Sequence, residues 1–334
     1  MEDLLADALR LLLHDQCTPA VVRQIEQSGD AAALWAAIDS SGFADALVPE
    51  AQGGSGLPLG EVLGVMALCG HFTLPVPLAE TMVARSMLAS SGLHDQARGR
   101  ITLAQGHVLN DGCLVCAGVQ LGRVSDAVLV SNARHSWLLL TQDAQRSPAS
   151  FVLDADLKWS AQHVAATQPL AQHHDTRLWL ACINAAQLSG ALLAVFNKTL
   201  QYANDRVQFG KAIGKFQAIQ HQLSVMAEHS FAANMAAQLG CASDTATPDP
   251  VRVAVAKART SEAALEVAGL SHSIHGAIGF THEFDLQLFT RRLHAWRQSG
   301  GSESYWHTVL GEELVDQRSG LALDLMRSAT DTTV

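Results

Sequence analysis

The chain has 334 residues, 48% of them hydrophobic and only 16% charged, which is enough length for two or three domains and too apolar for intrinsic disorder. Its 22 basic and 32 acidic residues give a net charge of −10, which argues against nucleic acid or an anionic membrane as the main partner. Six cysteines in a chain of this length do not make a disulfide scaffold. No apolar stretch approaches the roughly 18 residues of a membrane span, and the acidic start Met1–Asp3 is unlike a signal peptide. We therefore expect a cytoplasmic protein.

Residues 1 to about 95 are predicted to be helical. Apolar residues recur at helical spacing in segments 4–12, 34–38 and 61–69. Thr18-Pro19 offers an N-cap followed by proline at the first helical position. The turn-rich stretch 49–56 interrupts these helices.

A change of period near residue 100 predicts a small antiparallel sheet domain. Turn residues such as Asn110-Asp111-Gly112 separate short apolar runs, which is typical of short strands joined by close turns. The predicted strands contain the runs 101–103, 114–116, 128–130, 137–140 and 151–153.

From about residue 175 the chain is predicted to be helical again. Long amphipathic helices in series favour a bundle, with 242–250 as a loop. The predicted helices contain 188–200, 216–226, 251–270, 283–296 and 303–314.

Several familiar site patterns are absent or have an ordinary structural explanation. The sequence has no Walker P-loop, no dinucleotide fingerprint after a strand and no Gly-x-Ser-x-Gly elbow. Cys113 and Cys116 have redox or zinc spacing, but no second pair follows and they fall on a predicted strand. His272 and His275 lie one helical turn apart without further ligands, so no metal site is predicted.

Two segments carry more chemistry than a plain helical bundle needs. The first runs from Arg206 to Gln220 and combines a guanidinium, amides, an aromatic ring and two glycines between two helices. Arginine suits bidentate phosphate contact, and glycine lets backbone approach a ligand. The second runs from His275 to Glu283, where glycines precede a helix and free N–H groups favour an anion. Together they predict a phosphate-bearing ligand.

These segments resemble signatures of the acyl-CoA dehydrogenases. Segment 206–217 resembles the family's Arg-x-Gln-Phe-Gly…Phe-Gln motif, and 276–283 resembles its Gly-Gly-x-Gly-Phe-Thr-x-Glu motif. Pro49-Glu50 with the glycines of 53–56 resembles the family's amino-terminal turn. Further matching residues are Asp285, Leu286, Leu288, Arg291 and Arg292.

The resemblance implies a mostly α fold with a small β domain. The expected parts are a helical amino-terminal domain (1–98), a reduced middle β domain (99–170) and a carboxyl-terminal four-helix bundle (171–334). It also implies that FAD lies at a subunit interface, where it accepts a hydride while a carboxylate removes the α proton of an acyl-CoA thioester. The residues that match the family's cofactor-binding positions are Arg206, Gln208, Phe209, Gly210, Phe216, Gln217, His275, Gly276, Ala277 and Gly279.

The chain departs from the family where its own flavin ring and substrate would be held. The family's Thr-Glu-Pro…Gly-Ser segment is expected to be missing, because Ile101–Gln105 runs straight into Gly106 and the next turn. The position of the usual catalytic glutamate holds Ser299, and the alternative position on the first bundle helix holds Leu180. Glu303, one helical turn past Ser299, remains a candidate displaced base or an ordinary solvated carboxylate at a helix start.

The retained motif segments, together with the missing flavin-ring segment and catalytic base, resemble the pattern of a supporting subunit. In the family, the two retained segments reach the neighbouring subunit's flavin at its diphosphate and adenosine end, although here Ser273 replaces a usual glutamine and Ala277 a usual glycine. The pattern resembles the short subunit of heterotetrameric (α2β2) bacterial dehydrogenases of steroid side chains. The implied partners are an acyl-CoA thioester, a longer catalytic subunit and an electron-transfer flavoprotein as electron acceptor.

Two alternatives stay open from the sequence. One is a self-sufficient homo-oligomeric dehydrogenase that uses Glu303 or an unrecognised base. The other is a non-catalytic protein that binds flavin or a CoA thioester and only regulates or scaffolds.

Overall fold

The structure is a computed structural model that describes residues 4–96, 98–243, 247–317 and 322–330. By compactness these residues fall into two units. Unit 1 contains the described residues up to Met66 together with Leu74–Ile183, and unit 2 contains Ala67–Thr73, Asn184–Ser243 and the described residues from Thr247 onward. The three predicted domains, 1–98, 99–170 and 171–334, stay a prediction.

The amino-terminal part is helical, as its periodicity predicts. The hydroxyl of Thr18 accepts from the N–H of Val21 at 3.4 Å and caps the helix that begins at Pro19. Segment 49–56 is a turn region that contains only the short 3-10 turn Glu50–Gln52. The helices are α1 (Leu4–Gln16), α2 (Pro19–Ser28), α3 (Ala32–Asp39), α4 (Leu63–His71) and α5 (Leu78–Ser90).

Two small sheets follow, and a buried apolar cluster forms their core. The strands are β1 (Ile101–Gln105), β2 (His107–Val108), β3 (Leu114–Val119), β4 (Ala127–Ser131), β5 (Ser136–Leu140), β6 (Gln145–Pro148) and β7 (Ala155–Trp159), followed by the short helix α6 (Ala161–Ala166). One sheet has the order β1-β4-β5 and the other β2-β3-β7-β6. The core cluster contains Leu114, Val130, Trp137 and Trp159.

Two details of the predicted sheet domain are wrong. The sheet is not purely antiparallel, because β1 pairs with β4 in parallel from Ile101↔Ala127 to Gln105↔Ser131. The run 151–153 is not a strand: the N–H of Asp154 donates to the carbonyl oxygen of Phe151 at 3.1 Å, which closes a turn between β6 and β7. A run of three apolar residues is too short for periodicity to distinguish a strand from a buried turn.

Unit 2 is a helical bundle, as predicted. The elements of this part are α7 (Thr176–Asp205), β8 (Val207–Gln208), β9 (Lys211–Ala212), α8 (Gln217–Cys241), α9 (Pro250–His275), α10 (Leu286–Gln298), α11 (Glu303–Glu312) and α12 (Ala322–Thr330). Helix α9 packs against α8, α10 and α11. Helix α7 contacts α8 through the ring pair Phe196–Phe231, α9 through the ring pair Tyr202–His275, and α10 through Lys198 over the ring of Phe289.

Helix α7 corrects the expectation that no segment reaches the length of a membrane span. Among the described residues it alone is long and apolar enough by length and composition, with an 18-residue window of mean hydropathy 1.7. In that window 89% of the residues are buried inside the protein, which fits a core helix. The absence of a membrane partner stays a prediction.

Glycines let α4 and α7 approach closely within unit 2. A Cβ on Gly190 would lie 1.9 Å from the carbonyl oxygen of Ala67, and a Cβ on Gly70 would lie 1.8 Å from that of Gln187. Real Cβ atoms do not come this close to backbone oxygen, so both positions require glycine.

Candidate functional site

A tight hairpin directly after α7 holds most of the predicted cofactor residues. The N–H of Ile213 donates to the carbonyl oxygen of Arg206 at 2.8 Å, so the hairpin closes at its base. Phe209 (φ 50°) and Gly210 (φ 78°) form its tip. Two successive positive φ values suit a two-residue hairpin turn, but a phenylalanine rarely adopts one. The side chain of Phe209 is 91% exposed, so the tip presents an aromatic ring to solvent.

Positive charge is concentrated around this ring. Arg206, Lys211 and Lys215 lie in the hairpin segment, and no acidic residue occurs between positions 206 and 217 of an otherwise acidic chain. The Nζ of Lys211 is 4.3 Å from the ring centroid of Phe216, which Phe209 meets edge-on at 6.2 Å. Cations beside an exposed ring suit a ligand that combines an anion with a flat aromatic group.

The second predicted segment is a short turn after α9. Gly276 adopts φ 65°, and its N–H donates to the carbonyl oxygen of His272. Gly279 is buried, and a Cβ there would lie 3.1 Å from His272 Nδ1 and from the Cβ of His275. Glycine therefore lets this turn lie flat on the end of α9. The exposed residues of the turn are Gly276, Ala277, Ile278 and Phe280.

Tyr202 brings the two segments together. Its ring stacks on His275 at 4.3 Å, its hydroxyl donates to the carbonyl oxygen of His275 at 3.4 Å, and its carbonyl accepts from the N–H of Arg206 at 2.9 Å. The hairpin and the turn after α9 therefore form one site, which we call the hairpin site. Sequence reasoning missed Tyr202, and its only signal is its position one helical turn before Arg206.

One buried nitrogen of the hairpin site has no hydrogen-bond partner among the described residues. His275 is 4% exposed, and its Nδ1–H donates to the carbonyl oxygen of Ser271 at 2.8 Å, which leaves Nε2 as an acceptor without a donor. Burial lowers the pKa of His275, and the nearby Lys198 lowers it further, while the bond to Ser271 opposes both. His275 is therefore neutral at pH 7 and can accept a hydrogen bond from a ligand.

None of the three base positions presents a free carboxylate. Leu180 is buried in α7, and Ser299 follows the end of α10, where its N–H donates to the carbonyl oxygen of Ala295 at 3.1 Å. Glu303 forms a bidentate ion pair with Arg297, with Nε to Oε2 at 3.0 Å and a second contact from Nη2 to Oε1. Burial by itself would raise the pKa of Glu303, but the hydrogen bonds and charge of Arg297 outweigh it and lower the pKa. Such a carboxylate is a poor proton acceptor.

In unit 1 the chain passes from β1 to β2 through a single glycine. Gly106 donates its N–H to the carbonyl oxygen of Ser131 at 2.9 Å, and a Cβ there would lie 2.7 Å from Val130 Cγ1 and 2.8 Å from Leu114 Cδ1. The connection therefore runs through the buried apolar cluster and leaves no inserted segment between the two strands.

The cysteines and histidines that stand at redox or metal spacing in the sequence have packing contacts in the structure. Cys116 is buried in β3, and burial raises the pKa of its thiol to about 12, so it is unreactive at neutral pH. His272 stacks on Phe280 at 4.1 Å, whereas His275 stacks on Tyr202. Among the residues that the structure describes, no group of three or more potential metal ligands occurs.

Comparison with known proteins supports the family resemblance found in the sequence. Residues 176–314 match the model described as "Acyl-CoA dehydrogenase, C-terminal domain". The resemblance to the acyl-CoA dehydrogenases is therefore confirmed. It is 28% identical to acyl-CoA dehydrogenase IpdE2 of Mycolicibacterium smegmatis over 299 residues, which cover 89% of this chain and 93% of that protein.

Solved structures share the same fold along nearly the whole chain. The ChsE4–ChsE5 complex from Mycobacterium tuberculosis gives a TM-score of 0.80 at 21% identity, covering 96% of this chain and 99% of that chain. A steroid ACAD variant gives a TM-score of 0.78 at 23% identity, covering 95% and 98%. The mostly α fold with a small β domain, predicted from the sequence, is therefore confirmed.

The hairpin site fits one end of FAD, the cofactor that the family resemblance implies. Its donor set is a guanidinium and two ammonium groups, which suit a diphosphate. His275 Nε2 offers an unpaired buried acceptor to a ribose hydroxyl, and the exposed rings of Phe209 and Phe280 suit an adenine. Whether the predicted site residues contact FAD stays a prediction, but their chemistry is the one that this end of the cofactor needs.

Proposed function

We propose that this chain is the supporting subunit of a heteromeric acyl-CoA dehydrogenase. In this role its hairpin site holds the diphosphate and adenosine end of an FAD whose ring lies in a longer catalytic subunit. When bound, FAD supplies the hydride acceptor for α,β-dehydrogenation of an acyl-CoA thioester. The base that removes the α proton then belongs to the partner subunit.

One observation supports the proposal: Arg206 and the turn after α9, which match the family's phosphate-binding positions, lie in one exposed site, whereas none of the positions Leu180, Ser299 and Glu303 presents a free carboxylate. Arg206 and the turn after α9 are present and exposed, while Glu303 is held by Arg297. The single-glycine connection at Gly106 supports the same reading, because no residues stand between β1 and β2 that could form a segment beside a flavin ring. These features argue against a self-sufficient homo-oligomer that uses Glu303 as its base.

The partner and the substrate class are supported by relatives. The ChsE4–ChsE5 structure is a complex of two named chains, and a structural neighbour is a steroid ACAD. We therefore propose a longer acyl-CoA dehydrogenase as partner in an α2β2 assembly and a steroid side chain as the acyl group. A cytoplasmic location and an electron-transfer flavoprotein as acceptor complete the proposal.

Purification of the chain alone and together with candidate long subunits tests the proposal. Alone, the chain is expected to carry little flavin, because half of a binding site loses most of the binding free energy. Co-expressed with its partner, it is expected to give a yellow complex with the mass of two copies of each chain. A yellow homo-oligomer with about one flavin per chain and dehydrogenase activity would overturn the proposal.

The non-catalytic alternative has its own outcome in this experiment. If the chain forms a flavin-loaded complex with a longer subunit that oxidises no acyl-CoA, the chain is a binding protein. Flavin spectra, native mass and bleaching of the flavin by acyl-CoA thioesters separate these outcomes.

A further inference from the structure

Both ends of the turn between α10 and α11 are tied down within unit 2. This turn, residues 298–302, contains Gly300 (φ 67°) and Gly301 (φ 103°). The Nε1–H of Trp306 donates to the carbonyl oxygen of Gly300 at 3.1 Å. A Cβ on Gly301 would lie 2.7 Å from Tyr305 Cδ1 and 2.8 Å from Trp306 Nε1. The turn is thus packed closely on the first turn of α11.

A buried lysine on α9 forms the other anchor. Lys257 has no exposed surface, and its Nζ donates to the carbonyl oxygens of Arg297 and Gly301, both at 2.8 Å, and to the hydroxyl of Ser261 at 3.0 Å. The Arg297 carbonyl directly precedes the 298–302 turn, and the Gly301 carbonyl lies near its end. One amine therefore spans the turn and fixes the separation of its ends.

The three acceptors suit this amine in either protonation state. An ammonium group has three donors, and all three are used here. A neutral amine has two donors and one acceptor, so it can keep both carbonyls and accept a hydrogen bond from the hydroxyl of Ser261. Burial lowers the pKa of Lys257 to about 7, against the attraction of Glu303, and Arg297 lowers it further. The anchor consequently does not depend on burying a permanent charge.

We propose that Lys257 is a positioning residue: by fixing the 298–302 turn it holds the Glu303 carboxylate on Arg297 and out of use as a proton acceptor. Arg297 supplies one of the carbonyls that Lys257 binds, and Glu303 begins α11 two residues after the other. Moving either end of the turn would change the distance between the guanidinium and the carboxylate. The proposal rests on the proposed function, which takes this chain to contribute no base.

Lys257→Met tests the proposal in the full-length chain. Methionine has nearly the same length and fills the space, but it donates no hydrogen bond. We expect amide hydrogen exchange across the 298–302 turn to rise at least tenfold relative to that of α9. We also expect the titration midpoint of Glu303, followed by carboxyl NMR and assigned with Glu303→Gln, to move up toward that of an ordinary glutamate.

A second variant separates positioning from packing. Lys257→Gln keeps donors on a slightly shorter chain, so we expect protection of the turn in the order wild type, Gln, Met. A residue that only filled space would tolerate methionine better than glutamine. Because the charge of Lys257 itself lowers the pKa of Glu303, the order of turn protection decides between positioning and packing, and the Glu303 midpoint alone does not. Lys158→Met, on β7 in unit 1, is the matched control and should change neither measurement.

The proposal is overturned if Lys257→Met keeps the protection of the turn, whatever the Glu303 midpoint does, or if glutamine protects the turn less than methionine. Neither readout involves flavin, substrate or partner. The proposed function fails separately, if Glu303→Gln abolishes turnover of a complex that remains folded and flavin-loaded.

Discussion

Arg206→Ala is expected to lower flavin retention without lowering stability. The main chain of Arg206 is tied into the hairpin by its N–H to Tyr202 and its carbonyl oxygen to Ile213, and alanine keeps both bonds. Its guanidinium is exposed, and we find no hydrogen bond or ion pair from it to the described residues. Removing an exposed side chain without such contacts changes the free energy of unfolding by about 0.5 kcal/mol or less. Losing a charge-assisted bond to phosphate costs roughly 1.5–3 kcal/mol, or about ten- to a hundredfold in affinity.

The assay is flavin content and flavin dissociation of the complex, read beside its melting temperature. Arg134→Ala, at an exposed arginine of unit 1, is the matched control and should retain flavin like the wild type. The loss in Arg206→Ala should be larger at low ionic strength, because salt screens an exposed charge contact. A drop in melting temperature with unchanged flavin per folded complex would refute the reasoning, since Arg206 would then be structural.

Three further predictions concern unit 2. Gly190→Ala should destabilise the chain by about 1–3 kcal/mol in a urea titration, or prevent folding, because its Cβ would lie 1.9 Å from the carbonyl oxygen of Ala67. Gly269→Ala in α9 is the control: a Cβ there would meet no atom within 4 Å outside its own helix backbone, so the variant should be neutral or stabilising. Phe209→Gly should keep or raise the melting temperature, because it relieves about 1 kcal/mol of strain from the left-handed backbone conformation. The complex of this variant should lose flavin. A stable variant with full flavin content would show that Phe209 does not contribute to flavin binding. Glu303→Gln should leave turnover of the complex within a few-fold of wild type and cost about 1–2 kcal/mol of stability at pH 7. Because Arg297 lowers the pKa of Glu303, that stability is present above the pKa of an unfolded glutamate, about 4.3, and is lost as the pH falls through the lower pKa of the folded chain. The stability difference between the two proteins should therefore shrink as the pH falls below about 4.

Most of the fold could be predicted from the sequence because its helices are long and strongly periodic. The cap at Thr18 and the start of α9 near Val251 agree with the structure within a residue or two. The β domain was harder, because strands of about five residues give little periodicity. The parallel pairing of β1 with β4 depends on contacts between residues 101 and 127, which no local pattern reports.

The hairpin site could be predicted in part, because its glycines and its arginine lie in two short motifs. Tyr202, which joins those motifs, is one aromatic residue among others on a helix and carries no local signal. The role of Lys257 could not be predicted from the sequence either, because it depends on contacts with the carbonyls of Arg297 and Gly301, which are distant in sequence. Resemblance to a family identifies motif residues, whereas contacts between helices have to be read from the structure.

The state of Glu303 shows why a residue type at a plausible position does not establish a base. From the sequence, a glutamate one turn past the usual position could replace the missing one. In the structure the same carboxylate is paired with Arg297, and the turn before it is anchored by Lys257. A general base needs an unpaired carboxylate with a raised pKa, whereas these contacts lower it. The bundle therefore stabilises Glu303 in the form least suited to proton transfer, which is consistent with a chain that binds cofactor and leaves the chemistry to its partner.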